Sequence, residues 1–286
     1  MVNFNENALK ILNKRYLLKD ENNNIIETPD ELLLRVANTV CKDNEELKSK
    51  ILEMMNDLRF LPNTPTLMNS GTTNMLSACF VIDVNDTLES IVHDAGWQQA
   101  YIHKLGGGVG INFSKLRPKG DLIKMTGGVT SGVLGFLEMF NTLSEVIRQG
   151  GKRDGANMGL LSISHPEIEN WINAKVSENK YKFRNFNLSV LVTDDFMDAV
   201  EKDLEWNLGF NGKIYKTIKA KYVFDMICKS AWECGCPGMI FEDTIADGNP
   251  LDKIMHMNTT NPCGEVPIYI GIYNGELVAE SCNLGS

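Results

Sequence analysis

Short apolar runs alternating with helix-period segments constrain this chain more than any other feature. LSACFVIDV (76–84), GVGINFSKL (108–116), LLSIS (160–164) and LSVLV (188–192) are each short, mostly apolar and suited to a buried strand. Between them lie DTLESIVHDAGWQQAYIHKL (86–105), VLGFLEMFNTLSEVIRQ (133–149) and HPEIENWINAKV (165–176), which read as helices. Strands alternating with helices predict an α/β architecture.

The first 60 residues have a different texture. ENALKILNKRYLL and ELLLRVANTVCKDNEELKSKILEMMNDLRF place apolar residues three and four apart, and Thr28-Pro29-Asp30 predicts a helix start after a polar turn. A helical packing region over 1–60 and an α/β region over 61–286 follow as expectations. PNTPTLMNSGTTN opens the second region with turn and hydroxyl residues. Two long loops inside it, PKGDLIKMTGGVTSG (118–132) and GGKRDGANMG (150–159), are of the kind that compact domains keep for function. Asn211-Gly212 and Asn274-Gly275 each predict a hairpin.

A formal net charge of -9 argues against a broad nucleic-acid or anionic-membrane surface, because phosphate binding needs clustered Lys and Arg. The start, MVNFNENALK, lacks the basic and apolar regions of a secretion signal, and no apolar run is long enough to cross a bilayer. A cytoplasmic protein is expected, whose seven cysteines (41, 79, 228, 234, 236, 263 and 282) are reduced thiols.

Glycine loops invite nucleotide-binding templates, and both common ones fail. GGGVGINF lacks the third glycine of the dinucleotide fingerprint. In QGGKRDG, Lys152 is followed by Arg153, and Val146 stands where a P-loop needs its first glycine. His165-Pro166-Glu167 copies the H-x-E of zinc deaminases, but Cys263 is followed by Gly264, Glu265 and Val266, which does not complete P-C-x-x-C. Cys234 and Cys236 are too closely spaced to chelate well, so no metal site is expected.

NPCGEVPIYIGIYNGELVAESCNLGS (261–286) is chemically the densest stretch. If Tyr273 faces Glu276 across the Asn-Gly turn, position 267 faces 282, and Cys282 lies opposite the start of the outgoing strand. Cys263 precedes that point in a loop whose Pro262 and Gly264 let it fold back, so two thiols and the Glu265 carboxylate can share one pocket. Asn261, Cys263 and Glu265 supply an amide, a sulfur and a proton acceptor in close succession. A surface turn with a buried cysteine meets the same spacing.

The Leu61–Cys79 stretch, the two glycine loops, NPCGE and ESCNLGS, in this order, resemble the catalytic subunit of ribonucleotide reductase, most of all its adenosylcobalamin-dependent class. The resemblance covers about residues 60 to 286. It implies the first part of a ten-stranded α/β barrel preceded by a helical N-terminal region, and it implies roles for individual residues. Cys263 matches the cysteine that becomes a thiyl radical and abstracts the ribose 3'-hydrogen, Glu265 the base for the 3'-hydroxyl, and Asn261 the amide that orients the sugar. Cys79 and Cys282 match the dithiol that protonates the departing 2'-hydroxyl and supplies two electrons, which requires their Cα atoms to come within about 4.4–6.8 Å. A radical is best held in a buried, rigid loop.

Thr64 matches a hydroxyl near the substrate phosphates, and Gly107 and Gly108 the backbone that lies against substrate. Ala78 stands where some members of the family carry a hydroxyl, so a contact there would come from its backbone. Asp86, Thr87 and Leu88 match the helix start that contacts a deoxynucleotide or ATP effector, Arg117 and Lys124 its phosphate-binding positions, and 175–184 a second loop linking effector to substrate choice. The family resemblance further implies a ribonucleotide substrate, a homodimer, a thioredoxin-type reductant, and adenosylcobalamin or a separate radical-carrying protein as radical source. The strands, phosphate loop and cysteine pair of the family's later half do not follow Ser286, so an N-terminal piece that needs a complementary C-terminal fragment is expected. Two other readings stay open: a non-catalytic, effector-binding relic, and an unrelated zinc or thiol enzyme.

Overall fold

Thr28 starts a helix as its sequence predicts: in the computed structural model its hydroxyl accepts from the Glu31 N–H while the Glu31 carboxylate accepts from the Thr28 N–H. The structure describes residues 2, 4–123, 127–147, 155–179 and 181–286. Lys124 and residues 150–154, which open the second glycine loop, thus lie outside the described residues. The chain divides into two compact units, one of Met1–Ala78, Leu105–Gly107 and Cys282–Ser286, the other of Cys79–Lys104 and Gly108–Ser281.

The first unit carries α1 (Glu6–Arg15), α2 (Pro29–Cys41), α3 (Glu45–Asn56) and the short α4 (Thr64–Asn69). Leu32, Leu33, Val36 and Ala37 of α2 pack with Met55 and Leu67 in a core that the helical spacing foreshadows. Arg35 crosses to the buried Glu27 at 2.6 Å and donates to the Leu67 carbonyl at 3.3 Å, which pins α4 onto α2. Residues 282–286 lie alongside 61–63: Leu61 N–H donates to Ser286 O at 2.8 Å, Ser286 N–H to Leu61 O at 2.9 Å, and Asn63 N–H to Leu284 O at 2.9 Å.

The second unit runs β1 (Cys79–Ile82), a π-helical segment Glu89–Gly96 continuing into α5 (Trp97–Lys104), β2 (Gly108–Asn112), α6 (Val133–Val146), β3 (Asn157–Ser162), α7 (Ile168–Ile172), β4 (Phe186–Val192) and α8 (Asp194–Glu201). A hairpin of β5 (Glu205–Phe210) and β6 (Lys213–Lys219) follows, then α9 (Ala220–Cys234), β7 (Gly238–Phe241), α10 (Glu242–Gly248) and a second hairpin, β8 (Ile270–Tyr273) with β9 (Glu276–Ala279). β1, β2, β3, β4 and β7 lie side by side in that order, all parallel, with Cys79 opposite Gly108 and Gly110 opposite Met158. Ile111, Leu160, Leu161, Val190 and Val192 are buried, because a parallel sheet is covered on both faces, and this is why its strands read as apolar runs.

Where element bounds differ from the sequence reading, tertiary partners account for it. β3 begins at Asn157, ahead of the apolar run, because the Asn157 side chain finds Gln99, Ser144 and the Asn185 carbonyl inside the fold. The second hairpin has the expected Tyr273–Glu276 pairing, with positive φ at Asn274 (51°) and Gly275 (83°). Its ladder ends at Ile270 and Ala279, however, and Pro267 pairs with Thr260 instead of reaching 282. No helix among the described residues is long and apolar enough to cross a membrane.

Candidate active site

The sequence Asn261-Pro262-Cys263-Gly264 folds as its residues dictate. Gly264 N–H donates to Asn261 O at 3.1 Å, closing a β-turn with proline at its second position; Gly264, not Cys263, carries the positive φ (+81°). Asn261 and Val266 then close the loop in both directions, N–H to O at 3.1 Å and Val266 N–H to the Asn261 Oδ1 at 3.2 Å. The bridge between Thr260 and Pro267 seals the base. The result is a narrow finger with Cys263 exposed at its tip and Glu265 exposed beside it, while Asn261 is fully buried.

This finger descends β2 in steps of two residues. The Asn258 carbonyl accepts from Asn112 Nδ2 at 2.8 Å, Thr260 lies on Gly110, and Pro262 lies on Gly108. Positions 108, 110 and 112 share one face of a strand, so the finger follows a single row. A Cβ on Gly110 would stand 1.8 Å from the Thr260 carbonyl oxygen, and one on Gly108 2.6 Å from Pro262 Cγ. Gly110 is therefore required by the approach of another backbone, and Gly108 by the approach of the Pro262 ring. Asn187, on β4, donates its amide to the Pro262 carbonyl at 2.9 Å and fixes the peptide that leads into Cys263.

Asn261 also reaches the first of the other two predicted thiols: its Nδ2 lies 3.7 Å from Cys79 Sγ, at the buried start of β1. Cys282, likewise buried, belongs to the first unit, where its carbonyl accepts from the Ala78 N–H at 2.9 Å. Thr64 opens α4, and its hydroxyl is 2.9 Å from the Tyr16 hydroxyl. Gly107 closes the 105–107 segment of the first unit, and Gly108 begins β2.

At the other end of β1 and β2, Asp86 and Arg117 meet. Arg117 Nε donates to Asp86 Oδ2 at 2.6 Å, and its Nη1 to the Leu122 carbonyl at 2.9 Å. Thr87 accepts from the Ser90 N–H at 3.1 Å, and Leu88 stands 71% exposed. In the 175–184 loop Lys175 donates to the Phe186 carbonyl at 2.8 Å, and Arg184 pairs with Glu145 at 3.3 Å. Among the described residues no group of three or more His, Cys, Asp or Glu side chains could hold a metal ion. Sequence reasoning missed Asn112 and Asn187; the signal, a polar residue within an apolar strand, is visible in GVGIN and FNLSVLV.

Comparison with known proteins bears on both units. The family model for the ribonucleotide reductase barrel domain matches residues 77–286, and that for the ribonucleotide reductase all-alpha domain matches 2–75. A vitamin B12-dependent ribonucleoside-diphosphate reductase from Thermoplasma acidophilum is 39% identical over 98% of this chain and 44% of its own length. One of the same description from Mycobacterium tuberculosis is 41% identical over 98% of this chain and 40% of its own. The large subunit of a ribonucleoside-diphosphate reductase from Caenorhabditis elegans is 28% identical over 92% of this chain. The chain thus spans 40–44% of the length of the two relatives that match it at 39% and 41% identity.

Proposed function

This chain belongs to the ribonucleotide reductase family, and we propose that it supplies the radical-cysteine finger and the reducing dithiol of an enzyme that converts ribonucleotides to 2'-deoxyribonucleotides. The observation that carries this reading is the finger itself: NPCGE threaded along β2 by two glycines and two asparagines, with Asn261 against Cys79. In the proposed reaction a Cys263 thiyl takes the 3'-hydrogen atom while Glu265 accepts the 3'-hydroxyl proton. The 2'-hydroxyl leaves as water on a proton from the dithiol. Two electrons come from Cys79 and Cys282, which end as a disulfide, and the 3'-hydrogen returns from Cys263. Asn261, closed onto Val266 and buried, orients the sugar hydroxyls. Thr64, Ala78, Gly107 and Gly108 are the proposed substrate contacts.

Vitamin B12 dependence in the relatives suggests adenosylcobalamin as the source of the oxidising equivalent that turns a thiol into a thiyl; a radical-carrying protein is the alternative. An exposed tip fits a group that reaches Cys263 from outside this chain. A complementary C-terminal portion would then cover the tip and exclude water. A deoxynucleotide or ATP effector is proposed at Asp86, Thr87, Leu88 and Arg117, in a cytoplasmic homodimer. Exposed Leu88, just before the π-helical segment, Val92 within it, and Trp97 and Tyr101 on α5 support such a contact. A thioredoxin-type protein would re-reduce the dithiol.

The test is to mix this chain with a C-terminal portion of a relative, adenosylcobalamin, a dithiol reductant and a ribonucleoside diphosphate or triphosphate, and to assay deoxynucleotide. Activity lost in Cys263→Ser, Cys79→Ser and Cys282→Ser is expected. Turnover that survives Cys263→Ser would refute the reading.

A further inference from the structure

His165-Pro166-Glu167 opens like a zinc-deaminase signature, yet its side chains serve another end. Glu167 is 6% exposed, and its Oε2 accepts from two backbone amides, Lys119 at 3.0 Å and Val133 at 2.8 Å. Those amides bracket the loop 118–132, so one carboxylate oxygen holds both of its ends. The same oxygen supplies the cap that α6 lacks, since Gly132 before it has no side chain to give. Gly132 has φ +79°, and a Cβ there would stand 2.5 Å from Glu167 Oε2 and 2.6 Å from Lys119 Cβ. His165, 2% exposed, accepts at Nδ1 from the Glu167 N–H (3.1 Å), which leaves Nε2 to donate to the Leu116 carbonyl (2.9 Å). One three-residue motif therefore fixes Leu116, Lys119 and Val133. Arg117 lies between the first two, with its guanidinium already divided between Asp86 and the Leu122 carbonyl.

We propose that Glu167 is a positioning residue for nucleotide binding at Arg117: it sets the base of the 118–132 loop so that the guanidinium is presented to the phosphates of a deoxynucleoside triphosphate. This rests on the reading of Asp86 and Arg117 as an effector site. Glu167 itself touches no ligand; it removes the loop-ordering cost from the binding step.

The experiment titrates the full 286-residue chain with dTTP, for wild type, Arg117→Ala, Glu167→Ala and Glu167→Gln, and reads amide hydrogen exchange at Lys119 and Val133. Glu167→Ala is expected to weaken binding about tenfold or more and to speed exchange at those two amides. Glu167→Gln keeps an acceptor oxygen and is expected to stay within about threefold. If Glu167→Ala does not fold, Glu167→Asp, too short to span both amides, takes its place. Binding that Arg117→Ala removes and Glu167→Ala leaves intact overturns the inference alone; no binding by the wild-type chain overturns the effector reading and the inference with it.

Discussion

Gly110 is the residue on which the candidate site turns most directly. Its missing Cβ lets the Thr260 carbonyl approach where a methyl would stand at 1.8 Å, so Gly110→Ala must move the finger or the strand. We expect it to cost about 1–3 kcal/mol or more in urea denaturation and to change the rate at which iodoacetamide modifies Cys263. Gly248→Ala, with nothing within 4 Å of its Cβ position, should do neither. Asn187→Ala removes one hydrogen bond to Pro262 and should cost about 1 kcal/mol, with faster exchange at the Gly264 and Val266 amides. His103 is wholly buried beneath Gly155, with no hydrogen-bond partner for either ring nitrogen among the described residues. Burial pushes its imidazole down to about 4, against a lesser opposing effect of the neighbouring Asn157 side chain. The fold therefore holds His103 neutral, and its contribution is present above the unfolded value near 6.5 and lost as pH falls from there towards about 4. Burial lowers His165 in the same direction. Stability should fall on the order of 3 kcal/mol through this window, and His103→Gln should flatten the decline in the urea midpoint. Asn261, Cys263 and Glu265 were legible because chemistry-bearing side chains stand close together in sequence; Asn112, Asn187 and Gly110 were not, because their partners lie far away in sequence.

At the scale of elements, local signals did well where local forces decide. The capping box at Thr28 and Glu31 needs only neighbouring residues, so Thr28→Ala is expected to cost about 1 kcal/mol, read as a lower thermal midpoint. The Asn-Gly hairpins formed in place for the same reason, since positive φ at Asn211 and Gly212, as at Asn274 and Gly275, is a property of those residues. The helix expected over 165–176 shrank to Ile168–Ile172 because His165 and Glu167 are spent on Leu116, Lys119 and Val133. No helical period foretells that. Extrapolating the second hairpin to pair 267 with 282 failed likewise: Pro267 closes the base of the cysteine finger against Thr260.

On the scale of the molecule, the solvent exposure of the finger's tip can be measured directly. Cys263 is exposed in this chain, whereas the radical chemistry proposed for it calls for a dry site. Alkylation of Cys263 should therefore be rapid in the chain alone and slow sharply once a C-terminal portion of a relative binds; an unchanged rate on binding would count against a covered site. Burial of Cys79 and Cys282 predicts that both react more slowly than Cys263 throughout. What the sequence by itself determined is what neighbouring residues enforce: apolar runs that must be covered on both sides, helix caps, Asn-Gly turns, and the NPCG turn that lifts a cysteine to its tip. Only the tertiary structure decided that Gly110 makes room for a backbone and Gly108 for a proline ring, and that HPE grips a loop. Such contacts join residues far apart in the chain, where close packing rather than local propensity selects the side chain.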